Sequence, residues 1–101
     1  MQYHLYQNRE NSRYPYLLDI QSDIIDKLNT RLVIPLFDRS FVQHTLPVRL
    51  NPTLLVDGRP YVLMTHQMAS VPHSLLGKMI ADFTDERDDI KKAIDLLIDG
   101  F

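Results

Sequence analysis

The dipeptide Asp57-Gly58 stands between two apolar segments, Pro52-Thr-Leu-Leu-Val and Arg59-Pro-Tyr-Val-Leu-Met-Thr, and it constrains the chain more than any other feature. A two-residue hairpin loop needs positive φ at its centre, which glycine adopts without steric cost and aspartate tolerates. The spacing therefore predicts a β-hairpin, and the segments before it extend the same character. Residues 2 to 7 and 15 to 21 are aromatic and branched-aliphatic runs separated by the polar connector Arg9 to Arg13. That connector is too irregular for a tight turn, so the two runs read as an antiparallel pair joined by a loop. Residues 31 to 37 form the most apolar run, and Pro35 within it removes a ladder donor, which places the strand at a sheet edge or gives it a bulge. From Asp38 to Asn51 the chain reads as mostly loop, with room for a short helical turn around Ser40 to Val42 and with Pro47 blocking a longer one.

The tail obeys a different period. Thr84 is a reasonable N-cap, and Asp85 and Glu86 follow in the first turn, where the helix dipole favours acids. Ile90, Ala93, Ile94 and Leu97 then recur at helical spacing, with Ile98 at the margin and Phe83 in line just before the cap. Asp88 and Lys92 on the other side are a favourable i,i+4 pair. Leu96 falls among the polar residues and reads either as one exposed leucine or as a contact with a second subunit. Asp95 and Asp99 sit at the helix end that disfavours acids, which a frayed terminus tolerates and a basic partner site would reward. Strands followed by one terminal helix give a mainly β, α+β chain, and with no repeat or linker it reads as a single domain over residues 1 to 101.

Composition narrows the function. Zero cysteines exclude a disulfide framework and a thiol nucleophile. There is no apolar stretch near the length of a membrane helix, and the first residues lack a signal-peptide pattern, so a soluble, cytoplasmic protein is expected. The 11 basic and 13 acidic residues give a net charge of −2, and the bases are scattered singly between Arg9 and Lys92 rather than concentrated on one stretch. Holding nucleic acid by its phosphates calls for a basic face, so a protein partner is expected over DNA alone.

A search for catalytic chemistry yields little. His4, His44, His66 and His73 form no i,i+4 pair, so neither a metal nor another cofactor is expected. Ser70, His73 and Asp82 assemble a nucleophile triad only on paper, because no nucleophile motif supports them. Gly58, Gly77 and Gly100 are too far apart for a phosphate loop. The segment Ser22-Asp23-Ile24-Ile25-Asp26 puts two branched aliphatics between acids, where either one isoleucine turns into the core or the pair forms an exposed apolar contact.

Several segments, taken in order, carry a resemblance. They are Met1-Gln2-Tyr3, Asp19-Ile20-Gln21-Ser22-Asp23-Ile24-Ile25-Asp26, Arg31-Leu32-Val33-Ile34-Pro35-Leu36, Met64-Thr65 through Met68-Ala69-Ser70-Val71-Pro72, and the closing Gly100-Phe101. Over essentially its whole length the chain resembles the CcdB family of toxins from bacterial toxin-antitoxin modules. The resemblance implies an SH3-like barrel with a small additional antiparallel sheet and a C-terminal helix, assembled as a homodimer. It further implies a protein that is not an enzyme but binds the dimerisation region of the DNA gyrase A subunit and traps gyrase on cleaved DNA. DNA is then met only indirectly, through gyrase or through a toxin-antitoxin repressor complex. The implied gyrase-binding residues are Ile24, Ile25, Asp99, Gly100 and Phe101, and a disordered antitoxin segment that folds on the toxin neutralises it. The chain departs from the family where a tryptophan usually precedes the terminal glycine and an isoleucine follows it, because Asp99 and Phe101 stand there. Two other functions compete: a ribonuclease toxin on the same barrel, with Arg13, Arg31 and Arg39 supplying charge, and a non-toxic remnant that binds only antitoxin.

Overall fold

The structure is a computed structural model that describes residues 1–25 and 27–100. Among these residues seven strands, β1 (His4–Asn8), β2 (Tyr16–Asp19), β3 (Thr30–Asp38), β4 (Thr53–Val56), β5 (Arg59–Leu63), β6 (Ala69–Pro72) and β7 (Leu76–Asp82), precede one α-helix, α1 (Arg87–Asp99). The strands form a curled antiparallel sheet in the order β4-β5-β3-β2-β1-β7, with β6 joined to β3 outside this path. The architecture is thus the expected mainly β class with a C-terminal helix. Among the described residues no helix is long and apolar enough to cross a membrane.

The hairpin forms as its turn chemistry dictates. Asp57 (φ 51°) and Gly58 (φ 77°) both take left-handed backbone, and β4 meets β5 in the register Val56↔Arg59 to Thr53↔Val62. β1 and β2 pair from Leu5↔Leu18 to Gln7↔Tyr16, and the connector between them is pinned by Asn8 and Asn11, whose side chains accept from the amides of Glu10 and Arg13.

Pro35 is at neither an edge nor a bulge. One side of β3 pairs with β2, while the other pairs with β6 over Thr30 to Val33 and with β5 over Leu36 to Asp38. Pro35 falls in the gap between these two partners, and its carbonyl accepts from the Met64 amide at 2.9 Å. In a strand the N–H and C=O of one residue point to the same side, so the missing donor faces the fork, where no ladder bond is due. Strand β6 joins the sheet on one side of this fork and β5 on the other.

Both faces of the central strands are covered, which explains why residues 31 to 37 read as a continuous apolar run. Ile34 and Leu36 join Leu5, Leu18, Leu63, Phe83 and Ile90 in the main core, and Val33 packs with Leu17 and Leu76 on the opposite face. Strands β6 and β7 were not expected. β7 pairs with β1 across a close approach, since a Cβ placed on Gly77 would lie 3.1 Å from Gln7 Cβ and 3.2 Å from Gln7 O.

The helix departs from expectation at three points. Thr84 does not cap it: a 3-10 turn at Thr84–Glu86 comes first, and the Asp82 carboxylate accepts from both the amide and the hydroxyl of Thr84. Asp88 and Lys92 form no ion pair; Lys92 instead lines a shallow cavity with Asp89, Val48 and Arg49. Leu96 is half-buried, whereas Leu97 and Ile98 are exposed. The buried face centres between Ile90 and Ala93, which brings Leu96 to its margin, and the last turn runs past the core, which uncovers Leu97.

Candidate functional site

The sequence Ser22-Asp23-Ile24-Ile25 leaves β2 in a single 3-10 turn, Asp23–Ile25, that contributes no side chain to the core. The turn is closed locally. The Ser22 hydroxyl accepts from the Ile24 amide at 3.2 Å and the Ser22 carbonyl from the Ile25 amide at 3.2 Å. Ile24 is consequently 92% exposed and Ile25 51%, with Leu28 exposed beside them. Ile24, Ile25, Lys27 and Leu28 line a shallow cavity of about 200 Å³. Neither isoleucine turns into the core; the pair forms an exposed apolar patch. Asp26 lies outside the described residues.

Beneath the turn is a buried polar network. Arg31, on β3, donates from Nε (2.9 Å) and approaches from Nη2 (2.8 Å) to Asp19 Oδ2 at the end of β2, and both residues are buried. Asp19 Oδ1 accepts from the Gln21 amide at 3.0 Å, and the amino group of Met1 lies 3.2 Å from Oδ2. Arg31 also approaches the exposed Asp23 at 3.6 Å. With Tyr6, His73, Leu76 and Gly77 these groups line a cleft of about 450 Å³. Burial pushes the Tyr6 phenol above its ordinary pKa, and the nearby Asp19 carboxylate pushes it further in the same direction. The guanidinium of Arg31 is spent on carboxylates within the protein, so the cleft presents a neutralised wall to a ligand.

The second expected patch is the end of α1. Gly100 (φ 82°) takes the left-handed conformation that ends the helix, donating its amide to the Leu96 carbonyl at 3.1 Å. Asp99 and Gly100 are exposed, next to the exposed Leu97 and Ile98. Phe101 lies outside the described residues. Among the described residues no backbone hydrogen bond or ion pair links this patch to the Ile24–Ile25 turn.

The paper triad does not assemble: Asp82 serves Thr84 and faces His4 at 3.7 Å, and it makes no hydrogen bond to His73. Among the described residues no group of three His, Cys, Asp or Glu is placed to hold a metal. The three arginines have different partners. Arg31 is buried against Asp19, Arg39 donates to Thr53 at 3.4 Å, and Arg13 stacks over the Phe37 ring at 5.8 Å.

Across residues 2–100 the sequence matches the family described as CcdB protein. The chain belongs to the CcdB family. It is accordingly the toxin of a toxin-antitoxin pair, and an antitoxin is its partner. Among solved structures this CcdB-family toxin is similar to the Mycobacterium tuberculosis toxin MazF-mt6. The TM-score is 0.70 and the identity 16%, over 95% of this chain and 94% of that one. At that identity the likeness shows a shared fold.

One surface of this CcdB-family chain escaped the sequence reading. Tyr14 and Phe37 meet at 5.4 Å between ring centroids, Phe37 and Phe41 at 6.2 Å, and Arg13 lies over the middle ring. These side chains border a cavity of about 270 Å³ with Val42, His44, Leu46 and Met64. The signal was present as Arg13-Tyr14, Phe37 and Phe41, but the three pieces meet only through the β2–β3 register.

Proposed function

We propose that this toxin acts on DNA gyrase: as a cytoplasmic homodimer it binds the dimerisation region of the A subunits and traps the enzyme on cleaved DNA, without itself being an enzyme. Family membership supports this reading, and the observation that carries it is the Ile24–Ile25 turn. Burying the apolar surface of one such pair contributes roughly 1.5–3 kcal/mol per side chain, and in the free chain that gain is forgone. An exposed apolar pair held on a locally hydrogen-bonded turn is the form of a protein-binding anchor. Asp99 and Gly100, with Phe101, form the second contact. Replacing the family's tryptophan by aspartate exchanges an aromatic anchor for a carboxylate suited to a basic group on gyrase.

The ribonuclease reading has the shared fold in its favour and asks for free cations beside an acid-base set. Arg31 is engaged by Asp19, which removes one of the three cations from that role and supports the non-enzymatic reading. Titration of the gyrase A dimerisation fragment with this toxin and with Ile24→Asp tests the proposal. Saturable binding of the parent, weakened at least about tenfold by the substitution, is expected, since one lost anchor is worth about 1.4 kcal/mol or more. Equal binding by both proteins would remove the turn from the interface.

A further inference from the structure

The apolar pair is held by a side chain that has no place in the contact itself. Gln21 is buried at the junction of β2 and the 3-10 turn, and each of its polar groups has a distinct partner. Its Nε2 donates to the Ile25 carbonyl at 3.0 Å, reaching forward to the last residue of the turn. The Oε1 atom accepts from the Leu32 amide at 3.0 Å, which anchors the same side chain to β3. Its main-chain amide donates to Asp19 Oδ1 at 3.0 Å, and its carbonyl accepts from Arg31 Nη2 at 3.3 Å. An amide side chain donates from one terminal atom and accepts at the other, so it couples the turn to the sheet as an ionised carboxylate or an aliphatic group cannot.

We propose that Gln21 is a positioning residue, a buried clamp that fixes the Ile24–Ile25 turn to β3 so that the apolar pair meets its partner already ordered. The proposal rests on the reading of that pair as the gyrase contact. An unclamped turn would have its ordering cost charged against binding, because loop residues immobilised at an interface reduce affinity. Asp19 and Arg31 serve the clamp from behind: they hold the Gln21 backbone while its side chain reaches the turn.

Two substitutions separate the two ends of the clamp. Gln21→Glu keeps an acceptor for the Leu32 amide and, when ionised, has no donor for the Ile25 carbonyl. Gln21→Met has neither. Amide hydrogen exchange on the intact protein at neutral pH reads the β3 end at the Leu32 amide and the turn end through the Ile24 and Ile25 amides, whose bonds to Ser22 hold only while the turn is ordered. In Gln21→Glu the amides of Ile24 and Ile25 should exchange at least about tenfold faster while Leu32 stays protected; in Gln21→Met all three should accelerate. In both variants the core amides of Leu18 and Ile34 should keep their protection, which shows that the sheet is folded. Affinity for the gyrase A dimerisation fragment should fall in both variants. Unchanged exchange at Ile24 and Ile25 overturns the clamp, whatever happens to binding. Faster exchange with full affinity, in a protein whose Ile24→Asp variant binds weakly, overturns the positioning role. If the unsubstituted toxin does not bind gyrase at all, the target assignment has failed, and the exchange pattern alone decides the clamp.

Discussion

Replacing Arg31 with methionine should cost this protein about 3 kcal/mol of stability, at the lower end of the range for breaking a buried ion pair. The magnitude follows from the partners left behind. Asp19 is 1% exposed and receives both Nε and Nη2 of Arg31, at 2.9 and 2.8 Å. Without the guanidinium it keeps the Gln21 amide and the Met1 amino group, and its charge is neutralised only in part. Methionine fills much of the volume of the arginine stem, so little of the loss comes from a cavity. For a chain of this size about 3 kcal/mol corresponds to a fall in Tm of roughly 12–24 °C. Urea unfolding followed by far-ultraviolet circular dichroism measures it. The double substitution Asp19→Asn with Arg31→Met removes the stranded charge and should recover at least about 1 kcal/mol relative to the sum of the two single losses. A loss below about 1 kcal/mol in Arg31→Met, or strict additivity in the double variant, would refute the reasoning, because either result means that the pair stands in effective contact with water.

Three further outcomes are expected. Gly77→Ala should destabilise by about 1–3 kcal/mol in the same unfolding assay, because the new Cβ meets Gln7 at 3.1 Å and must push β1 from β7; an unchanged midpoint would mean that the strands yield freely. Gly100→Ala meets no atom within 4 Å, so only the left-handed backbone opposes it, at about 1 kcal/mol confined to the last turn. Global stability should barely change, while hydrogen exchange shows the end of α1 fraying. Asp38 is held below the ordinary carboxylate pKa chiefly by the hydrogen bonds from Ser40, with help from Arg59, and Asp82 chiefly by those from Thr84, with help from His4. For groups whose folded pKa is depressed, the contribution is complete above the unfolded value, about pH 4, and is lost as pH falls below it. Asp38→Asn and Asp82→Asn should therefore flatten the acid limb of the stability curve, and an unaltered limb in both variants would dismiss these contributions.

Local chemistry was the part of this molecule that the sequence made legible. Asp57-Gly58 specifies its turn through two backbone angles that need no distant partner, and the spacing of Ile90, Ala93 and Ile94 specifies a buried face. Distant pairing was hidden. Strand β6 carries Pro72 and the exposed Ser70, and it is a strand because the first half of β3 lies open beside it. Strand β7 contains Gly77, a poor strand former that is required there by the closeness of β1. Pro35 suggested an edge because a fork in the sheet leaves the same trace in sequence, a strand position with no ladder donor to satisfy.

The candidate site divides in the same way. The Ile24–Ile25 pair stood out because two aliphatics between acids are anomalous at any surface, although their exposure depended on which way a three-residue turn faced. The supporting network was invisible, since Asp19, Gln21 and Arg31 stood in segments that carry the resemblance but nothing linked them to one another until the register Asp19↔Val33 brings them together. Thr84 is not the helix cap for a related reason. A 3-10 turn inserted before α1 moves the helix start to Arg87, after Glu86, and leaves the Thr84 amide and hydroxyl bonded to Asp82.

The central claim is that this CcdB-family toxin poisons gyrase through the Ile24–Ile25 turn and the Asp99-Gly100-Phe101 end. The most direct measurement incubates it with purified gyrase, supercoiled plasmid and ATP, then counts linear DNA released by detergent and protease. The account predicts linear DNA that accumulates with toxin concentration and disappears when antitoxin is added. No linear DNA from a toxin shown to be folded and antitoxin-binding would contradict it.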